Sequence, residues 1–309
     1  MKKFKFLFIL AIILIAPITS CKTTQENNSN NTNETEENNE FTKNLSYSLS
    51  EDGLSYVVTG KGAADETNIK IPSSYEDKPV SAIDKYAFMQ CNIESIEIPS
   101  SVTKIGDLAF QSCNYLRKVT LSNNLESIGI YGFANCIQLI EINIPNSVTY
   151  LGESAFEGCE KLSSIKLSSK MTMIEVGTFI GCKSLKSITF PENLTRIGAD
   201  AFHGCTSLSR ISLNNITTIE SYTFANCTSL KEIIIPESVE IIDRWAFLDC
   251  SSLETITINT GLKRVNDSAF KGCSSLSTIY YSGNNEQWNK IKIESNNDCL
   301  LNARIFKEQ

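Results

Sequence analysis

A phenylalanine followed three residues later by a cysteine recurs nine times in this chain, at a period of 22 or 23 residues. The phenylalanines are Phe88, Phe110, Phe133, Phe156, Phe179, Phe202, Phe224, Phe247 and Phe270. The cysteines are Cys91, Cys113, Cys136, Cys159, Cys182, Cys205, Cys227, Cys250 and Cys273. A fixed period of roughly 20–50 residues is the signature of a solenoid. Such stacks tend to offer partners a long surface rather than one deep catalytic pocket.

Residues 142–162 show what one repeat contains. Its start, of the form L-x-x-I-x-I, alternates apolar and polar residues, as a short strand with one buried face does. A single rung cannot bury its apolar side, so we expect about ten rungs to stack as a parallel ladder about 45–50 Å long. The residues A-F-x-G-C predict a short helical turn on the back, ended by a residue that tolerates the left-handed conformation. That site holds Asn135, Gly158, Gly181, Gly204, Asn226 and Gly272.

The phrase V-T-x-I-G-x-x-A-F-x-x-C-x-x-L-x-x-I-x-I-P resembles the BspA-like, treponemal-type leucine-rich repeat family. Residues 147–167 and 193–213 match it nearly end to end, and the resemblance extends over about residues 45–306. It implies an α/β solenoid, a leucine-rich repeat array whose concave strand face commonly holds the partner. It also implies a surface role, because members of the family are associated with adhesion to host proteins or to other cells.

Proline ends every second predicted strand, at Pro99, Pro145, Pro191 and Pro236. Two interpretations stay open. The array grew by duplication of pairs with a period of about 46 residues, or proline is simply acceptable where a strand end need not donate to the ladder.

The N-terminus carries an export signal. Lys2, Lys3 and Lys5 precede the apolar run Phe6–Ile18, which is too short for a comfortable transmembrane helix and stops just before Cys21. The sequence before Cys21 resembles a bacterial lipoprotein signal, which implies cleavage after residue 20 and lipidation of Cys21. The alternatives are an ordinary signal peptide or an uncleaved anchor.

The chain then divides into five predicted parts. Residues 1–20 form the signal peptide, 21–44 a disordered Asn/Thr/Glu-rich tether, and 45–83 an N-terminal cap and first rung. Residues 84–281 form the repeats and 282–309 a C-terminal cap. The cap at the N-terminus is predicted to contain a hairpin that turns at Asp52-Gly53.

Charge and cysteine content exclude several classes of function. The net charge is −7, and removal of three lysines with residues 1–20 leaves 25 basic and 35 acidic residues, or −10. This disfavours nucleic acid, which needs a basic face. The nine repeat cysteines are expected to be buried thiols because they occupy apolar positions; disulfides between adjacent rungs are the alternative. Cys299 is expected to pack in the C-terminal cap.

Sequence motifs for catalysis are lacking. His203, the single histidine, occupies a site that varies among rungs, so a surface position is expected. No phosphate-binding glycine loop, zinc-protease motif or paired C-x-x-C occurs. We therefore expect no enzyme activity, cofactor, metal or small-molecule substrate.

The outward face of the strand ladder is the predicted binding surface for a protein or glycan. It carries mostly small hydroxyl residues, whereas binding hot spots favour Trp, Tyr and Arg. The candidate contact residues are therefore Arg210, Ile234, Tyr280 and Tyr281. The alternatives are a solvated face with the partner elsewhere, or an envelope scaffold without an external ligand. In the leading interpretation the protein is lipid-anchored in the cell envelope, with the outer surface or outer membrane favoured over the periplasm.

Overall fold

The computed structural model describes residues 41–307, which form a parallel-stranded β-solenoid of about 11 turns with repeats of about 23 residues. The predicted leucine-rich repeat solenoid is thus confirmed. The strands are β1 (Ser46–Leu49), β2 (Tyr56–Gly60), β3 (Asn68–Lys70), β4 (Ser74–Tyr75), β5 (Lys78–Ile83), β6 (Ser95–Glu97), β7 (Lys104–Ile105), β8 (Lys118–Thr120), β9 (Ser127–Ile128), β10 (Glu141–Asn143), β11 (Tyr150–Leu151), β12 (Ser164–Lys166), β13 (Met173–Ile174), β14 (Ser187–Ile188), β15 (Arg196–Ile197), β16 (Arg210–Ile211), β17 (Thr218–Ile219), β18 (Glu232–Ile235), β19 (Ile241–Ile242), β20 (Thr255–Ile258), β21 (Arg264–Val265), β22 (Thr278–Tyr281), β23 (Lys292–Ile293) and β24 (Arg304–Lys307). The helices are α1 (Asn285–Trp288) and α2 (Asp298–Asn302).

Each repeat contributes two short strands rather than the single strand predicted. The first forms the strand face, where parallel pairing gives the segments β3-β6-β8, β10-β12, β14-β16 and β18-β20-β22-β24. The second strand lies in the V-x-x-I-G part of the repeat and forms a second parallel ladder on another side. Glycine follows several of these strands because successive rungs approach closely there: a Cβ at Gly198 would lie 2.7 Å from the Val176 backbone nitrogen.

The back of the solenoid is a ladder of turns, not the helical turns that the sequence suggested. Two residues in most rungs have a positive φ, one two positions before the phenylalanine and one two positions after it, as in Ser154 (52°) and Gly158 (69°). The latter position is the left-handed site that the sequence predicted. Because these residues interrupt any helix, alternate backbone N–H groups close turns within the rung, as from Cys159 to the Phe156 carbonyl at 3.2 Å. The others donate to the next rung, as from Phe133 to the Ala155 carbonyl at 2.8 Å. Within residues 41–307 both helices lie in the C-terminal cap.

The core is a stack of identical layers. The nine repeat phenylalanines are buried, with neighbouring ring centroids 4.9–5.9 Å apart and ring planes within 21° of parallel. The offset-parallel arrangement of aromatic rings adds to the free energy that burial of their apolar area provides. The rung spacing therefore determines the ring spacing, and each layer stabilises the next.

The repeat cysteines are buried thiols, as predicted, and none of the ten cysteines in residues 41–307 forms a disulfide. Eight of the thiols donate to the carbonyl of the phenylalanine in the preceding rung, with Sγ–O distances of 2.9–3.2 Å. Burial raises the pKa of the Cys159, Cys205 and Cys250 thiols to about 12. Cys299 is half-buried and packs against the same core, at the edge of the cap.

Both ends of the solenoid are capped. The predicted N-terminal hairpin is present, since β1 and β2 pair antiparallel, and β2 then pairs parallel with β5. The tether prediction needs a correction at its end, because the Thr42 N–H donates to the Lys70 carbonyl and Thr42 is buried, so residues 41–44 already pack on the cap. At the other end β24 adds an eleventh strand to the strand face, which the non-repetitive sequence there did not reveal.

Candidate partner-binding face

An apolar row crosses the C-terminal end of the strand face. In β18, β20, β22 and β24 the register places Ile234 beside Thr257, Thr257 beside Tyr280, and Tyr280 beside Phe306. The large members of this row are unusually accessible for apolar side chains, at 61% for Ile234, 49% for Tyr280 and 40% for Phe306. We call these four residues the apolar row. Its side chains point outward because their neighbours at i±1 in each strand point into the core.

The aromatic end of the apolar row is preorganised. The Tyr280 and Phe306 rings stack with centroids 5.4 Å apart, and the Arg304 guanidinium carbon lies 4.5 Å from the Phe306 centroid. This cation–π contact restrains both the arginine and the ring. The row borders a shallow cavity of about 250 Å³ that Ser282 and Lys307 also line. The arrangement offers apolar contact area with cationic groups at its rim.

The structure brings only part of the predicted set together. Ile234 and Tyr280 share the apolar row, whereas Arg210 is exposed on the same face but lies in β16, across a gap in the ladder. Tyr281, predicted as a contact residue, points inward instead: it is 3% exposed and its ring packs edge-on against Trp288, with centroids 5.1 Å apart, so it contributes only to the lining of the shallow cavity. Its register with buried Ile258 shows the reason, because both residues directly follow an outward position and so point inward. Phe306 is the member that the sequence reasoning missed.

Three of the four strands that end at a proline are not hydrogen-bonded to the preceding strand of the strand face. Pairing is interrupted between β8 and β10, β12 and β14, and β16 and β18, just ahead of the strands that end at Pro145, Pro191 and Pro236. In the fully paired part of the ladder, Ser282 occupies the position equivalent to these prolines, and its N–H donates to the Ile258 carbonyl at 3.1 Å. Proline has no N–H, so this bond to the preceding rung cannot form. Pro99 is the exception, because β3 and β6 remain paired.

The first of these openings forms a groove of about 700 Å³ between the rungs of β8 and β10. Val119 and Leu121 point inward there but are only partly buried, while the rim carries Arg117, Lys118 and Lys166. The groove is wide and open, with mixed polar and apolar walls. It gives the N-terminal half of the strand face a concavity, without the aromatic side chains of the apolar row.

His203 lies at the surface edge, half-exposed as expected. Its Nδ1 is 2.9 Å from Asp200 Oδ1 and its Nε2 is 3.2 Å from Asn226 Nδ2. No serine or cysteine nucleophile is among these hydrogen-bond partners. Across residues 41–307, no cluster of three or more His, Cys, Asp or Glu residues could hold a metal ion.

The predicted lipidation site, Cys21, and the signal peptide lie outside the described residues. Within the described part of the chain, no helix has the length and apolarity needed to cross a bilayer.

Comparison with known proteins identifies the repeat. The BspA-type leucine-rich repeat region matches residues 81–209 and 206–305, in six copies. A solved leucine-rich repeat protein from Eubacterium ventriosum is 26% identical, with a TM-score of 0.55, over 78% of this chain and 66% of that chain. A leucine-rich cell surface protein from Faecalibacterium prausnitzii is 25% identical, with a TM-score of 0.45, over 82% of this chain and 97% of that chain. A search of curated proteins gave no match. Arrays of this type are generally protein-interaction scaffolds. Since the matched regions span most of its length, this chain belongs to the BspA-type leucine-rich repeat family.

Proposed function

We propose that this protein is a lipid-anchored adhesion or interaction protein of the cell envelope, which binds other macromolecules without catalysing a reaction. The observation that carries the proposal is the apolar row, in which Ile234, Tyr280 and Phe306 are all exposed on one run of paired strands, with Thr257 between Ile234 and Tyr280. Large apolar side chains that are contiguous on a surface mark interaction sites. The partner on this face is a protein or a glycan.

The composition of the apolar row supports binding rather than solvation. Tyrosine and arginine are among the residue types that dominate binding hot spots. Tyr280 belongs to the row, and Arg304 lies beside it over the Phe306 ring. The stack of Tyr280 on Phe306 means that little side-chain entropy is lost when a partner covers the rings. The solved Faecalibacterium relative is described as a cell surface protein, which is consistent with this role.

Anchoring would depend on Cys21. Two or more acyl chains on that cysteine would hold the protein stably at a bilayer without spanning it. The segment from Cys21 to the first packed residues would then serve as the tether that lifts the solenoid from the membrane. Incorporation of a radiolabelled fatty acid tests this: we expect label in the wild type and none in Cys21→Ser, and label in both would refute the assignment.

A scaffold facing the periplasm, with no external ligand, is the second candidate. The N-terminal half of the strand face favours it, because Glu97, Thr120, Asn143 and Lys166 give that half a polar, hydrated surface. Such a surface suits weak contacts within the envelope better than a tight external complex.

Accessibility on intact cells separates these two functions. We expect added protease and antibody to reach the solenoid on intact cells as they do after lysis. Protection until lysis would exclude contact with other cells and would leave the scaffold.

Adhesion then tests the apolar row itself. Cells that display Tyr280→Ala together with Ile234→Ala should bind epithelial monolayers, or neighbouring cells, on the order of tenfold more weakly. Tyr150→Ala is the matched control, because Tyr150 is similarly exposed, at 41%, but lies on the second ladder. Equal adhesion by all three strains would refute this face as the binding surface.

A further inference from the structure

A second candidate surface lies where the turn ladder meets the second strand ladder, away from the strand face. Each rung places a left-handed residue two positions before its phenylalanine, and this residue is small in some rungs, such as Ser154 or Gly177, and aromatic in four. Of the four aromatic ones, Tyr222 and Trp245 are the two that lie in adjacent rungs. Their rings stack with centroids 5.0 Å apart and planes 19° from parallel, and both side chains are half-exposed. The His203 ring extends the stack, 6.0 Å from Tyr222.

The aromatic pair borders a groove of about 600 Å³ that continues along the solenoid axis over several rungs. Its size falls within the range of roughly 300–1,000 Å³ that is usual for ligand sites. Its polar lining comes from several rungs, which brings residues almost a hundred positions apart into one site. These residues are Asp200, Asp243, Arg244, Arg264, Asn266 and Glu294.

The acceptor at the centre of the groove is held rigidly. Asp243 Oδ1 accepts from Asn266 Nδ2 and from the Arg244 backbone N–H, both at 2.7 Å, and its Oδ2 accepts from Ser221 Oγ at 3.0 Å. Partial burial opposes ionisation of Asp243, but the hydrogen bonds outweigh it and lower the pKa of its carboxyl. The carboxylate therefore stays charged and fixed at neutral pH.

The donors, in contrast, remain available. The guanidinium groups of Arg244 and Arg264 make no hydrogen bond or ion pair with any residue in the range 41–307, although both line the groove. Arginine presents five N–H donors in a planar fork, which suits pairs of neighbouring oxygen atoms. The groove thus combines unused forked donors, fixed acceptors and an aromatic platform.

The groove carries charges of both signs. Its lining holds the carboxylates of Asp200, Asp243 and Glu294 and the guanidinium groups of Arg244 and Arg264, and Glu294 also pairs with Lys292 at 3.2 Å. A phosphate or sulfate polymer would meet the carboxylates, and a polycation would meet the arginines, at a cost in either case. This mixture of charges favours an uncharged ligand that is rich in both donors and acceptors.

We propose that this groove binds a neutral oligosaccharide, with a pyranose ring stacked at the end of the aromatic stack, on the face of Trp245 that Tyr222 does not cover, and its hydroxyls bonded to the arginines, Asp243 and Asn266. One face of a pyranose presents weakly positive C–H groups, and an aromatic face is electron-rich. Vicinal hydroxyls are neighbouring oxygens that each donate and accept, which matches the polar lining. The site lies apart from the apolar row, so it does not depend on the proposed function of the strand face.

Tryptophan fluorescence provides a direct assay, because the chain has two tryptophans and the other, Trp288, is in the C-terminal cap. In a Trp288→Phe background, Trp245 becomes the reporter. The probes are neutral oligosaccharides of four to six units, built from glucose, mannose, galactose or N-acetylglucosamine, with heparin as a polyanionic comparison. At least one neutral probe should change the emission of Trp245 saturably.

Matched variants then locate the site by calorimetric titration of that probe. Trp245→Ser and Tyr222→Ser install the residue that Ser154 and Ser268 already supply at the equivalent position, with the same positive φ, so the fold should persist. Each should weaken binding on the order of tenfold. Tyr86→Ser, at the same position in another rung and 39% exposed, should leave it unchanged.

Several results would overturn the proposal. They are saturable binding of none of the neutral probes, binding of heparin alone, or full affinity in a Trp245→Ser protein whose circular dichroism and melting match the parent. Loss of binding in Tyr280→Ala with retention in Trp245→Ser would move the saccharide to the strand face. That outcome would refute this site while supporting the apolar row.

Discussion

We predict that the buried thiols make the stability of the solenoid fall in mild alkali. Seven of the repeat cysteines have a raised pKa, with burial as the largest cause, and those of Cys159, Cys205 and Cys250 reach about 12. In the unfolded chain a thiol ionises near its ordinary pKa of about 8.5. The folded state therefore keeps protons that the unfolded state releases. The stabilising effect is complete below pH 8.5 and is lost as the pH rises toward the folded pKa.

The size of the effect follows from proton linkage. One pH unit above the unfolded pKa, each thiol that stays protonated in the folded state lowers the free energy of unfolding by about 1.4 kcal/mol. Seven thiols together lower it by about 10 kcal/mol at pH 9.5, a large part of the roughly 5–15 kcal/mol that is usual for a folded domain. We expect the urea midpoint to fall steeply between pH 8 and 9.5. Tyr47, whose pKa burial also raises to about 12, contributes only above its ordinary value of 10.

The assay is urea unfolding followed by tryptophan fluorescence and far-UV circular dichroism, with a reductant present throughout. The matched variant replaces Cys159, Cys182 and Cys205 by alanine. Whatever its absolute stability, its free energy of unfolding should fall less steeply with pH than that of the parent, by about three sevenths, because three of the seven titrating thiols are gone. The slope of the parent's free energy of unfolding against pH gives the number of protons released on unfolding. A value of fewer than about two would show that the thiols are solvated or that they ionise in the folded state, and the reasoning would fail.

Three further predictions concern the stacked core and its end. Phe156→Ala should lower the free energy of unfolding by about 3–5 kcal/mol in urea titration, whereas exposed Tyr131→Ala should cost less than about 1 kcal/mol; similar values would contradict the ring stack. Gly198→Ala should cost about 1–3 kcal/mol by the same measurement, because its Cβ would meet the backbone of Val176, and an unchanged midpoint would disprove the close approach. Asn297→Ala should lower the melting temperature markedly, since buried Asn297 accepts the Phe270 N–H at 3.0 Å in place of a further rung; Asn302→Ala, at an exposed position of α2, is the control.

The candidate face was only partly predictable. Ile234 and Tyr280 could be identified because the repeat phrase assigns every residue of a strand to the inner or outer side. Tyr281 could have been placed inside by the same alternation, since it aligns with Ile258. Phe306 could not be identified, because residues 304–307 do not repeat the phrase and join the ladder only through the folded cap.

The sequence alone determined the layered core. Every rung meets nearly identical neighbours. A constant spacing of phenylalanine, cysteine and branched residues along the chain therefore specifies the fold, because the same contacts recur from rung to rung. The second strand of each rung, the backbone bonds of the turn ladder and the gaps before the prolines needed the three-dimensional register.

Only the tertiary structure decided which surface side chains meet. Positions on adjacent rungs are about 23 residues apart in sequence, yet stacking brings their side chains to ring-contact distance, as with Tyr222 and Trp245. The outward positions vary from rung to rung, and their contacts depend on lateral alignment and side-chain rotamers, which periodicity does not encode. The packing of the interior can therefore be predicted from the repeat, whereas the apolar row and the groove beside Tyr222 and Trp245 form only when the rungs are stacked.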